Sequence, residues 1–223
     1  MREIYRSGSE RIWIVAFAIA FILAGYVARI FPARPDEASL YWALELAAVA
    51  VPAVVLLLLA RFGILKPSSY YFWLPTDFRW FAVQAAICFV AFYVVIFSAR
   101  DLIWEFVWPY EFLKIHQREV GRSGDGTDGP VLWFVLVLVI GAFLEEIVYR
   151  AMLFHALDKS LAYLLVSPVL FAGIHVNQGL FGMVQAGLMG AVACVLFLWT
   201  KSVIPLALAH LGVNLCVLWV RFQ

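Results

Sequence analysis

Two adjacent carboxylates and an arginine interrupt a long apolar run in the stretch FLEEIVYR: Glu145, Glu146 and Arg150. An ionisable side chain inside a membrane span costs about 2.5–3.5 kcal/mol on insertion scales, so each needs a reason to be there. Glu146 and Arg150 are four residues apart, about 40° around a helix, and can pair so that each lowers the other's burial cost. Glu145 points about 100° away from Glu146 and finds no such partner in its own helix. A carboxylate so placed looks to neighbouring helices for partners, and the position suits a general base. Candidates follow later in the chain: His175 in FAGIH, with Phe171 one turn before it, and His210 and Asn214 in HLGVN, again one turn apart. Asn177, close behind His175, is a further candidate donor.

The elements that must position these groups follow from composition. Of the 223 residues, 65% are hydrophobic and 14% charged, against about 45–50% and about 25% in a soluble domain. The apolar residues fall in long runs, each near the roughly 20 residues a helix needs to cross about 30 Å of hydrocarbon. Seven candidate spans result: Ile12 to Ile30, Leu40 to Ala60, Trp80 to Ala99, Val131 to Leu157, Leu161 to Val176, Leu180 to Thr200 and Val203 to Val220. No alternating segments of barrel type occur, and lipid tolerates no unpaired backbone, so the expected fold class is an all-α polytopic transmembrane helical bundle. It reads as a single integral membrane domain: three N-terminal spans over 1–100, an interfacial segment and flexible loop over 101–130, and a four-span core over 131–223. The net charge of +1 offers no basic face to nucleic acid, and the lipid bilayer is the expected surrounding.

Arg2, Arg6 and Arg11 precede a first apolar run too long for the 7 to 15 residue core of a cleavable signal, so that run reads as an uncleaved anchor. With the N-terminus in the cytoplasm, Arg61, Lys66, Arg79, Lys159 and Lys201 join them inside, while Arg29, Arg34 and Arg221 fall outside. Between the third and fourth spans, Trp104, Phe106, Trp108, Tyr110 and Phe112 suit an interfacial helix, and GRSGDGTDGP a loop. In the sixth span Gly182, Ala186, Gly190 and Cys194 form a strip of small side chains that lets another helix approach closely. Glu45, Gln84, His116 and His155 are read as snorkelling or structural groups. Cys88, Cys194 and Cys216 lack metal or disulfide spacing and read as small hydrophobes.

The three polar clusters together resemble the CAAX protease and bacteriocin-processing family, also called the ABI family, of glutamate-type intramembrane proteases. Its pattern is EExxxR, then FxxxH, then HxxxN, matched here in order by Glu145, Glu146 and Arg150, by Phe171 and His175, and by His210 and Asn214. The resemblance covers about the last hundred residues and implies a multi-pass enzyme of a bacterial or archaeal cytoplasmic membrane that cleaves a membrane-anchored protein or peptide. It further implies that Glu145, assisted by His175, activates a water, that His210 and Asn214 stabilise the oxyanion, and that Glu146, Arg150, Phe171 and Asn177 support them. No cofactor is required by that scheme. Physically, a carboxylate and an imidazole can share a proton taken from water, and donors one helical turn apart can converge on one oxygen, each contributing about 3–4 kcal/mol. Three alternatives stand beside it. Glu145, His175 and His210 provide a His, His, Glu set for a zinc hydrolase, although HExxH is absent. Buried carboxylates and histidines also serve ion or proton transporters. A non-catalytic binding or immunity protein on the same scaffold is the third.

Overall fold

Several helix ends in this chain fall where a charge or a local cap interrupts an apolar run, as at Arg61 and Asp77. The computed structural model describes residues 12–14, 16–17, 19–21, 38–61, 77–107, 131–157 and 161–221, and every regular element among them is helical. The all-α expectation therefore holds. Near the N-terminus, the helical residues at 12–14, 16–17 and 19–21 bury Ile14, Phe17 and Phe21, whose spacing of three and four puts them on one face. Helix α1 (Ala38–Arg61) carries Pro52 within it and packs on the fourth helix. Helix α2 (Phe78–Tyr93) begins at Asp77, whose carboxylate accepts from the backbone N–H of Arg79 at 2.9 Å and of Trp80 at 3.5 Å. It continues as a π-helical stretch, Val94–Ser98, where Gln185 donates its side-chain amide to the Ile96 carbonyl at 2.8 Å.

Helix α3 (Arg100–Val107) is the start of the segment expected at the interface; the remainder of that segment, 108–130 with His116 and the glycine-rich loop, lies outside the described residues. Helix α4 (Val131–Glu146) passes into a π-helical segment, Ile147–Met152, and ends with one α-helical turn, Leu153–Ala156. Helix α5 (Leu161–Gly173) is followed by a short 3₁₀ turn, Val176–Gln178, then α6 (Gly179–Thr200) and α7 (Val203–Arg221). At the α6–α7 corner Lys201 adopts a left-handed conformation with φ 54°, and Ser202 accepts from the Ile204 N–H at the start of α7.

Among the described residues, two helices are long and apolar enough to cross a membrane: Phe78–Ser98 and Gly179–Thr200. The remaining expected spans appear as shorter apolar stretches, such as Ala50–Leu59, Leu161–Gly173 and Val203–Val217, so the count of seven goes further than these helices do. The physical reasons are local. Helix α5 stops at Gly173 rather than running to Val176, and α4 carries the charged residues already noted.

The small-residue strip of α6 packs as its sequence suggests. Gly182, Ala186, Gly190 and Cys194 are all buried, and a Cβ placed on Gly190 would lie 3.1 Å from Pro168 Cα and 3.2 Å from Phe171 Cδ1 of α5. On the other side of the bundle α7 packs between α4 and α2, where a Cβ on Gly212 would meet Phe89 at 3.0 Å. Glu145 and Glu146 of α4 are thereby brought against His210 of α7.

Candidate active site

Glu145 and Glu146 are the last two α-helical residues before the π-helical segment of α4. Such wide turns occur mostly as single interruptions of helices, often at functional positions. Here the segment carries Tyr149 and Arg150 inward, and both are fully buried. The Glu146–Arg150 pair expected from the sequence forms, with Arg150 Nε 3.1 Å from Glu146 Oε2 and both side chains at 0% exposure. The backbone between them is π-helical, however, so the α-helical angle expected between the two does not describe their geometry. The guanidinium also lies 4.7 Å from the centroid of the Phe171 ring, a cation–π contact.

Glu146 has a second partner that its spacing alone does not reveal. His210 of α7 places Nδ1 3.0 Å from Glu146 Oε1. A carboxylate beside an arginine accepts, so Nδ1 carries the hydrogen and donates. The other ring nitrogen, Nε2, then faces Glu145 Oε2 at 3.7 Å. That distance is within ion-pair range and too long for a hydrogen bond. The His210 ring is wedged between Phe92 of α2 and Phe171 of α5, at centroid distances of 6.2 and 6.1 Å. Glu145 is the open member of the pair: its side chain is 21% exposed where that of Glu146 is fully buried.

His175 corrects the reading in which each motif lies within its own helix. It follows the end of α5, in the turn before the 3₁₀ segment, with its N–H bonded to the Ala172 carbonyl at 3.0 Å. Its Nδ1 lies 2.9 Å from the Phe171 carbonyl. In a continuing helix that carbonyl would take the backbone N–H of residue 175, so the imidazole substitutes for the lost helical bond. A carbonyl can only accept, so Nδ1 carries a hydrogen and donates. The FxxxH spacing is thus a helix terminus that fixes a tautomer, and the two rings lie 4.9 Å apart.

Asn214 stands one turn after His210 on α7 and is half-buried. Asn177 falls within the 3₁₀ turn, and its side chain lies outside the described residues. Among the described residues no group of three His, Cys, Asp or Glu side chains is placed to hold a metal ion. Sequence reasoning missed Ser167, a fully buried hydroxyl that accepts from Arg150 Nη1 at 3.2 Å and donates to the Tyr149 carbonyl at 2.6 Å. A hydroxyl in an apolar run, directly before Pro168 on the helix that carries Phe171, is the signal that was there to be read.

No curated protein and no solved structure matches the chain. Residues 127–216, less than half of the chain but all of the site, match the family described as Type II CAAX prenyl endopeptidase Rce1-like, a membrane-embedded protease family. That match bears out the resemblance to the CAAX protease family carried by Glu145, Glu146 and Arg150, by Phe171 and His175, and by His210 and Asn214.

Proposed function

We propose that the protein is an intramembrane endopeptidase that hydrolyses a peptide bond of a membrane-anchored protein or peptide. Glu145, with His175, takes a proton from water as the water oxygen attacks the scissile carbonyl carbon. His210, which with Nδ1 held by Glu146 donates from Nε2 only in its doubly protonated form, and Asn214 donate to the resulting oxyanion. The tetrahedral intermediate collapses with cleavage of the C–N bond, and the proton held by Glu145 and His175 passes to the leaving amine. Glu146 and Arg150 hold His210 in place, and Phe171 holds His175. The scheme uses no metal, and it runs on a substrate that stays in the membrane.

The observation that most supports this reading is the meeting of Glu145 Oε2 and His210 Nε2 at 3.7 Å, with the far side of the imidazole fixed by Glu146. An acid and a directed imidazole from two helices, buried among aromatic rings, form an environment in which a proton and a developing charge are handled away from bulk water. The orientation of His175 agrees with a share in the base, since its Nε2 is the nitrogen able to accept.

The test is proteolysis of membrane-anchored peptides, prenylated and unmodified, by detergent-purified protein, comparing wild type with Glu145→Gln, each with and without a zinc chelator. Cleavage that needs Glu145 and ignores the chelator supports the glutamate mechanism. Loss on chelation moves the chemistry to zinc, and cleavage by Glu145→Gln at the wild-type rate sinks the assignment.

A further inference from the structure

One fully buried polar side chain in contact with the site belongs to none of its three motifs: Ser167. It lies on the face of α5 that also presents Tyr163 and Phe171, four residues to either side and both buried. Its hydroxyl both accepts and donates. Oγ accepts from Arg150 Nη1 at 3.2 Å and donates to the Tyr149 carbonyl at 2.6 Å. A serine hydroxyl has one hydrogen to give, so the two bonds assign its orientation without ambiguity.

Both partners lie in the π-helical segment, where the backbone departs from the regular helix. In a regular helix the Tyr149 carbonyl would accept from the Leu153 N–H, but that N–H is directed at the carbonyls of Arg150 and Val148. With the Leu153 N–H turned to those carbonyls, the Tyr149 carbonyl accepts from the Ser167 hydroxyl. Arg150 presents a planar guanidinium that can turn about its own stem unless it is held on more than one side. Glu146 holds Nε at 3.1 Å, the Phe171 ring lies 4.7 Å from the guanidinium carbon, and Ser167 fixes Nη1.

We infer that Ser167 is a positioning residue for the reaction, acting on the His210 ring through Arg150 and Glu146. The contacts form one continuous line: Ser167 Oγ to Arg150 Nη1, Arg150 Nε to Glu146 Oε2, Glu146 Oε1 to His210 Nδ1, and His210 Nε2 facing Glu145. The Arg150–Glu146 link is an ion pair without an aligned hydrogen bond, while at either end of it the guanidinium donates to Ser167 and the carboxylate accepts from His210. Helix α5 then controls both histidines: His175 through the Phe171 carbonyl, and His210 through Ser167 one turn earlier. The line touches no substrate, so its loss disturbs the reacting geometry and leaves binding intact.

This inference rests on the peptidase reading for its rate effect, and a readout that needs no substrate tests it separately. The variants are Ser167→Ala, Ser167→Thr and Ser167→Val; threonine and valine share a shape and differ by the hydroxyl. The first readout is the ring-nitrogen signals of His210 in protein labelled with ¹⁵N-histidine, assigned with a His210→Asn sample. The wild type should show Nδ1 protonated, Thr should preserve that pattern, and Val and Ala should shift or broaden it. The second readout is kcat, KM and the pH profile on the peptide that the wild type cleaves fastest. Val and Ala should lower kcat about tenfold or more, the equivalent of losing one charge-assisted hydrogen bond, with KM within about twofold and the pH profile altered. Thr should return kcat to within about threefold of wild type. A Val variant with wild-type His210 signals overturns the inference, as does one with wild-type kcat. If no peptide is cleaved by the wild type, the peptidase reading fails while the histidine signals still decide the role of Ser167. If Ala does not fold, the Thr and Val pair carries the comparison.

Discussion

The helices before and after residue 131 bury different things. In the later group Glu146, Arg150, Ser167 and His210 lie inside the bundle, and each is bonded to at least one of the others. In the earlier group the buried side chains among the described residues are Ile14, Phe17, Phe21, Pro52, Cys88, Phe92 and Ile103, with Gln84 as the polar exception. Apolar packing is additive and forgiving, whereas a buried polar line fails when one member leaves, because the neighbour then keeps an unpaired group. The later helices are therefore where a single atom matters, and the earlier ones are where shape and helix ends matter.

The largest effect should come from the open end of the polar line. Glu145→Gln keeps the size of the side chain and removes its basicity, so turnover should fall by about 10²–10⁴-fold, the usual range for a positioned general base. That side chain is 21% exposed where Glu146 is fully buried, so the neutral amide keeps access to solvent. The thermal midpoint in detergent should stay within a few degrees of wild type. A large loss of stability alongside the loss of turnover would mean that Glu145 belongs to the buried line rather than to its mouth.

Next is the middle of the line. Arg150→Ala strands Glu146 as a buried carboxylate and should cost about 3–5 kcal/mol, seen as poor yield and early unfolding. Adding Glu146→Gln removes the stranded charge and should recover part of that loss, giving a coupling between the two sites that a double-mutant cycle measures. Additive effects would show that the 3.1 Å contact contributes nothing of its own.

Much of this arrangement was legible from residue type alone. Charge inside an apolar run has few explanations, so Glu145, Glu146 and Arg150 announced themselves, and the ion pair of the last two formed as their spacing suggested. The helical class followed equally directly from the length of the apolar runs. What was not legible was set by backbone irregularity. The π-helical turn at Ile147–Met152 and the end of α5 at Gly173 have no distinctive residue pattern. Those two features decide that Ser167 meets Arg150 and that His175 leaves the helix. The bond between Glu146 and His210 joins residues 64 positions apart, which only packing can reveal.

Helix packing in the later group should respond more weakly than its charges. Gly190→Ala pushes a methyl to 3.1 Å from Pro168 Cα and 3.2 Å from Phe171, and overpacking of this kind costs about 1–3 kcal/mol. Gly141→Ala is the control: no atom lies within 4 Å of the added methyl, so the substitution should be neutral or gain up to about 1 kcal/mol from helix propensity. Since Phe171 also holds His175 and touches Arg150, Gly190→Ala should lower kcat as well as stability, which Gly141→Ala should not. Equal effects from both would show that the α5–α6 contact is looser than its geometry.

In the earlier helices the most consequential single polar group is a cap. Asp77 takes the N–H groups of Arg79 and Trp80 at the start of α2, at 2.9 and 3.5 Å. Asp77→Ala should cost about 1 kcal/mol, because those donors lose a partner that solvent only partly replaces. The effect should stop there. Trp80 keeps its edge-to-face contact with Trp199 at 6.0 Å, and Phe92, four turns further along the same helix, still packs on His210. Turnover at a temperature well below the unfolding midpoint should therefore match wild type, with the cost visible only in the midpoint. Asp77→Asn retains an acceptor and should recover most of it. A fall in kcat for Asp77→Ala under those conditions would mean that fraying at the start of α2 reaches Phe92, and that the two groups of helices are coupled more closely than their different interiors indicate.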